Sequence, residues 1–344
     1  MRGPLGFMVP GDLDTPTGGY GYDRRLIAEL GALGWKVSLL GLSGRFPEAG
    51  PEERAEVAAR LAAWPDGAPV LIDGLAFGAA PDAMAREAAR LRLVALVHHP
   101  LGDESGLEPG RRRRLLEDER RALESAAAVV VTSPATARRL AEGFGVAPER
   151  ITVAPPGTDR AARAPGGNTP PRILSVGSLI PRKRHDALID ALAMLADLDW
   201  EARIIGSDRL DPDCAEGLRA RVVEQGLERR IAIVGALADP RAEMERADIF
   251  ALASEYEGYG MAFAEAMSQG LPVVACRAGA IADLVPEAAG ALVPPGDTRA
   301  LAAALRRLIT DRKWRADRAE AAWEAGQALP DWGETAARVD RVLA

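Results

Sequence analysis

Two glutamates, Glu257 and Glu265, stand with seven residues between them, and their surroundings say what they could do. Gly258 and Gly260 follow the first. The second lies in an apolar segment, Ala262 to Ser268, that stops at Gly270, and Pro272 then opens the run Val273-Val274-Ala275-Cys276. This order reads as loop, helix, turn and strand. Glycine lets a backbone approach a ligand closely and leaves amide N–H groups bare. The N-terminus of the following helix brings roughly half a positive charge to the same place, which favours a phosphate. Carboxylates ahead of the helix and one turn inside it can accept from hydroxyls on two separate parts of one ligand. Phosphate together with polyol hydroxyls describes a nucleotide sugar.

The elements that would position these residues alternate. Leu5 to Val9 reads as a strand, Pro10 to Gly21 as a loop, Tyr22 to Leu33 as a helix, and Val37 to Leu40 as a second strand: a Rossmann-like opening. Its loop holds Gly18 and Gly19, but Arg24 stands where the third glycine of GxGxxG would be, so a dinucleotide fingerprint is absent. Val70 to Ile72 and Leu93 to Val97 are further strands, the latter ending at His98-His99-Pro100, two of the three histidines. A histidine just past the carboxyl end of such a strand sits where open α/β sheets hold ligands. Ligand contact, a structural role and metal binding are all compatible with that position, although adjacent residues on a strand point apart. Glu104 follows in the next loop. Arg111 to Arg114 open a charged helix whose later acids offset them, so a solvated face with i,i+4 ion pairs competes with an anion-binding one. Pro and Gly density marks a boundary near 155–171. Beyond it, strands are read at Arg172–Val176, Glu201–Ile205, Ile231–Val234 and Ala247–Ala251, with helices at His185–Leu195 and Thr298–Ile309.

The stretch from Glu257 to Ala275, EGYGMAFAEAMSQGLPVVA, resembles the E-x7-E signature of the retaining, GT-B-fold family 4 glycosyltransferases, which usually reads like EGFGLPxxEAMAxGxPVVA. The likeness continues through Ala278 to Val285 and Gly290 to Asp297. It covers nearly the whole chain and is tightest from residue 172 to 310. The resemblance implies an α/β, GT-B architecture of two Rossmann-like domains facing each other across a cleft. It divides the chain into an acceptor domain over 1–160, a linker over 161–171, a nucleotide-sugar donor domain over 172–325, and a C-terminal helix over 326–344 that returns to the first domain. It also implies roles. Glu257 accepts from sugar hydroxyls and Glu265 from ribose, while the amides of Gly258, Tyr259, Gly260 and Met261 face the diphosphate. The turn at Leu237 lies over the base, Gly18 and Gly19 face the donor phosphates, and one of His98 and His99 lies near the sugar. Where the family reads VGRxxxxKG, this chain has Val176-Gly177-Ser178 through Lys183-Arg184. Lys183 matches the family lysine, but Ser178 replaces the arginine and Arg184 the second glycine, which leaves Arg182 and Arg184 as the candidates for the missing charge. Basic residues at a helix start oppose its dipole, which itself favours an anionic partner.

Bulk properties narrow the rest. At 344 residues the chain has room for about two domains, and 48% hydrophobic content supports a core in each. A formal net charge of −7 speaks against a general nucleic-acid partner. Cys214 and Cys276 form no CxxC pair, which fits a reducing compartment and no cysteine-based zinc site. The opening MRGPLGFMVPGD reaches a turn too soon for a signal peptide, and no apolar run approaches the roughly 20 residues of a spanning helix. The expectation is a cytoplasmic protein, with peripheral attachment at the inner membrane face left open. Asp12-Leu13-Asp14 and Asp211-Pro212-Asp213 spell D-x-D outside the context of a metal-diphosphate motif, so neither a metal nor another cofactor is expected. The expected substrates are a nucleotide-sugar donor (UDP-hexose first, GDP-mannose next) and a glycan, lipid or small-molecule acceptor. Alternatives are a sugar-nucleotide epimerase of the same fold, a non-catalytic nucleotide-sugar or glycan binder, and, least supported, an NAD dehydrogenase.

Overall fold

The computed structural model describes residues 2–344 and divides into two compact units, residues 2–157 with 330–344, and Thr158–Leu329. Each is built on one six-stranded parallel sheet.

In the first unit the strands are β1 (Pro4–Pro10), β2 (Lys36–Leu42), β3 (Pro69–Asp73), β4 (Arg92–Val97), β5 (Ala128–Val131) and β6 (Ile151–Val153), in the order β2-β1-β3-β4-β5-β6. In the second they are β7 (Arg172–Val176), β8 (Glu201–Ile205), β9 (Ile231–Gly235), β10 (Ile249–Leu252), β11 (Val273–Cys276) and β12 (Gly290–Val293), in the order β12-β11-β10-β7-β8-β9. Helices cover both faces, which is why the strands are near-continuous apolar runs. Leu93 to Val97 are all buried, and so are Ile249 to Leu252. In β10 the alternation sends Ile249 and Ala251 into one core layer and Phe250 and Leu252 into the other.

Local chemistry sets the helix starts. The side chains of Thr17, Ser133, Asp211, Asp297 and Asp331 accept from backbone N–H groups at the heads of their helices. The helix Gly18–Ala32 therefore begins four residues before the expected Tyr22: Thr17 accepts from Tyr20 N, so Gly18 and Gly19 form its first turn and not a loop. The linker region is fastened to the second unit. Arg160 donates to the carbonyls of Gly326, Gln327 and Leu329, Ala164 N to Gln269 O, and Asn168 N to Asp248. The C-terminal helix Trp332–Leu343 packs within the first unit. Thr335 Oγ1 donates to Pro155 O at 2.7 Å, and the Trp332 ring lies edge-on to Tyr22.

Candidate functional site

Each sheet reverses strand order once, between β1 and β3 in the first unit and between β7 and β10 in the second. Open α/β sheets hold ligands outside the carboxyl ends of the strands at such points. Nearly all the candidate residues of the second unit lie on the loops after β7, β9 and β10.

Glu257, on the loop after β10, is 6% exposed. Its Oε1 accepts from Lys183 Nζ at 2.6 Å and from Ser254 Oγ at 2.7 Å, and Arg182 Nη1 lies 3.9 Å from Oε2. Burial works against the charge, but the Lys183 and Arg182 cations and the hydrogen bonds of Lys183 and Ser254 hold the carboxyl below its ordinary pKa. The structure thus joins two residues that the sequence reading treats as separate ligand contacts. It also distinguishes the two arginines. Arg182 donates to Tyr256 O at 2.7 Å beside Glu257, whereas Arg184 is paired with Asp186 and Glu255. Arg184, where the family has glycine, adopts a left-handed backbone, φ 50°.

The loop is pinned from behind. Ala280 N donates to Glu257 O at 2.9 Å, and a Cβ on Gly279 (φ 55°) would stand 2.2 Å from that oxygen. Gly260, at φ 99°, is the N-cap of the helix Met261–Ser268, so no capping side chain covers its leading amides. Tyr259 is buried and Met261 half-buried. Glu265, half-buried in that helix, has its pKa pushed up to about 7 by burial, with Arg241 opposing and Asp239 and Asp159 adding. Leu237, just after β9, packs against the core layer that contains Phe263. Two supporting residues have no signal in the sequence beyond their type. Ser254 is the hydroxyl three positions before Glu257. His185, the third histidine, is buried and neutral, its pKa driven down to about 4 chiefly by burial; its Nε2–H donates to Gly177 O at 3.1 Å.

In the first unit His98 and His99 part company. His98 Nε2 lies 3.3 Å from Asp23 Oδ1 and 3.5 Å from Asp73 Oδ2, and its ring meets Tyr22 edge-on at 5.3 Å. A Cβ on Gly19 would stand 3.4 Å from the His98 ring. His99 Nε2 instead lies 3.3 Å from Glu104 Oε2. Burial opposes a charge on His98, but the two carboxylates outweigh it and raise its pKa. Asp23 and Asp73 escape sequence reading: an acid inside a helix and an acid at a strand end carry no motif. Among the described residues, Asp23, Asp73 and His98 are the one place where three groups of the kind that bind metals come within 4.8 Å. Asp12 and Asp14 close a local turn, Asp14 N donating to Asp12 Oδ1. Cys214 and Cys276 are both unbridged. No helix among the described residues is long and apolar enough to cross a membrane.

Comparison with known proteins agrees with this layout. Residues 170–311 match the family model described as glycosyl transferases group 1, and residues 70–162 match glycosyltransferase family 4. Mannosylfructose-phosphate synthase of Agrobacterium fabrum is 32% identical over 163 residues, 42% of this chain and 36% of that protein. The MMP alpha-(1->4)-mannosyltransferase of Mycolicibacterium hassiacum is 30% identical over 63% of this chain and 56% of its own length. The chain thus spans from about a third to just over half of these relatives. Among solved structures, sucrose-phosphate synthase from Thermosynechococcus elongatus matches 99% of this chain and 98% of its own with a TM-score of 0.83 at 24% identity. Anabaena Alr3699/HepE in complex with UDP-glucose matches 99% of both chains with a TM-score of 0.79 at 21% identity. The fold is GT-B, and both units carry glycosyltransferase sequence.

Proposed function

We propose that this chain, a GT-B protein with glycosyltransferase sequence in both units, moves a hexose from a nucleoside-diphosphate sugar to an acceptor hydroxyl with retention of anomeric configuration. The observation that carries the reading is the Glu257–Lys183–Ser254 cluster at the strand reversal of the second unit, inside the E-x7-E segment. Glu257 accepts from hydroxyls of the transferred sugar and Glu265 from the ribose. Lys183 and Arg182, with the amides of Gly258 to Met261 at the helix start, stabilise the departing diphosphate electrostatically. These cations take the place a metal would otherwise fill, and the transfer proceeds without one. Leu237 lies beneath the base, and in the first unit Gly18, Gly19 and His98 are the candidate ligand contacts.

UDP-hexose is the first donor to try, supported by the solved UDP-glucose complex of HepE; GDP-mannose is the second, supported by the mannosyl relatives. The acceptor is a glycan, a lipid or a small molecule, and the names of mannosylfructose-phosphate synthase and sucrose-phosphate synthase put sugar phosphates at the head of the trial set. Two unbridged cysteines fit a cytoplasmic setting.

The test incubates the protein with each donor and acceptor, follows nucleoside diphosphate release, and reads product configuration by proton NMR. An α-linked product from an α-linked donor is expected, undiminished by EDTA. An inverted product, or turnover abolished by EDTA and restored by Mn2+, contradicts the reading. So does conversion of the nucleotide sugar with no acceptor.

A further inference from the structure

The strand reversal of the first unit holds an arrangement that the roles above leave unused. Asp23, in the first helix, is fully buried, and Asp73, ending β3, is nearly so. Both present an oxygen to one nitrogen of His98, Nε2, at 3.3 and 3.5 Å. Asp73 is itself fixed, whereas Asp23 Oδ2 is buried with no hydrogen-bond partner. Asp73 Oδ1 accepts from Leu75 N at 2.8 Å and so caps the next helix, and Asp23 belongs to the helix that Thr17 caps. The ring is held on a second side by Tyr22, and Thr132 Oγ1 donates to the His98 carbonyl. The other groups facing the cluster from the same helix are Tyr20, whose hydroxyl donates to Pro10 O, and Arg24. Two buried carboxylates without a cation are costly, and a single N–H shared between them favours a charged imidazolium. The structure gives His98 Nδ1 no partner among the described residues.

We propose that Asp23 and Asp73 are positioning residues that hold His98 as an imidazolium by its Nε2–H, leaving Nδ1–H as a fixed donor for a ligand oxygen at the strand reversal of the first unit. The role of His98 is then a fixed hydrogen-bond donor and not a base. The inference rests on the proposed glycosyl transfer for its consequence, but the arrangement itself can be read without turnover.

The test uses the full chain labelled with 15N. With three histidines in the sequence, His98→Gln identifies the His98 ring signals. At pH 8 both ring nitrogens of His98 are expected to be protonated, and Asp23→Asn combined with Asp73→Asn is expected to leave the ring neutral. Each single variant is expected to lower kcat on the order of 10²-fold, the scale for loss of one preorganised donor. Donor KM should move less than about threefold, as for an interaction made mainly in the transition state. A neutral His98 in the unmodified protein at pH 8 overturns the proposal, and needs no variant that folds. Ring signals unchanged in the double variant, or lost on adding one equivalent of Zn2+, overturn it as well, the last by giving the three side chains to a cation. Protein that transfers no sugar but shows the protonated, carboxylate-dependent ring would instead count against glycosyl transfer alone.

Discussion

Glu257 and Lys183 are nearly enclosed, their side chains 7% and 16% exposed, so each depends on the other. Removing one partner of a buried pair costs roughly 3–5 kcal/mol because the survivor is left charged and unpaired. Ser254 and Arg182 still face Glu257, so Lys183→Met should fall toward the lower end, and Glu257→Gln added to it should recover part of the loss. Urea denaturation of the two single variants and the double variant measures this, and strictly additive effects would argue that the two side chains do not interact. In catalysis Glu257→Gln and Lys183→Ala should each lower kcat/KM about 10²–10³-fold, with folding checked by circular dichroism; near-normal turnover in both would remove them from the mechanism. Glu265 gives a pH signature. Its folded pKa is raised to about 7, so the carboxylate proposed to accept from ribose is progressively lost as pH falls below that value. Between pH 8 and pH 6 the affinity for a nucleoside diphosphate should therefore weaken about tenfold. In Glu265→Gln the same titration should show only the ligand's own ionisation.

Loops, not strands, decide whether these groups meet. The Glu257 loop is held by Ala280 N and packs against the backbone of Gly279, where any side chain would both adopt φ 55° and stand 2.2 Å from Glu257 O. Gly279→Ala should cost about 2 kcal/mol or more and weaken nucleotide binding along with it, readable as paired losses in melting temperature and affinity. A variant that loses neither would show the loop to be set by something else. Five of the six strands of the second unit were legible to within a residue or two, β7, β8 and β11 at both ends, because parallel strands buried on both faces are unbroken apolar runs; β12 was not read as a strand. The start of the first helix was not. Two glycines read as a turn, yet one hydroxyl at Thr17 suffices to begin the helix there. E-x7-E and Lys183 could be read from spacing and family likeness. Ser254, His185, Asp23 and Asp73 could not, because each acts through a contact between segments far apart in sequence or through a lone side chain with no repeating pattern.

At the scale of the molecule, Arg182, Lys183, Glu257 and Glu265, the proposed contacts for diphosphate, sugar and ribose, belong to Thr158–Leu329, while His98 and its acids belong to the other unit. A ligand that binds only the folded form stabilises what it touches, by roughly 2.7 kcal/mol at 100 times its dissociation constant. Calorimetric unfolding should accordingly show nucleotide acting first on the transition of the second unit; equal shifts throughout would mean the chain melts as one. The central claim is that the Glu257–Lys183 loops hold the diphosphate of a sugar donor. The measurement that tests it most directly is thermal stability against UDP, GDP, ADP, CMP and NAD, in the unmodified protein and in Lys183→Ala. The account predicts a rise of several degrees with one nucleoside diphosphate, at about 2–4 °C per kcal/mol, that Lys183→Ala largely abolishes. No rise with any diphosphate, a rise with NAD alone, or a rise that survives intact in Lys183→Ala would contradict it.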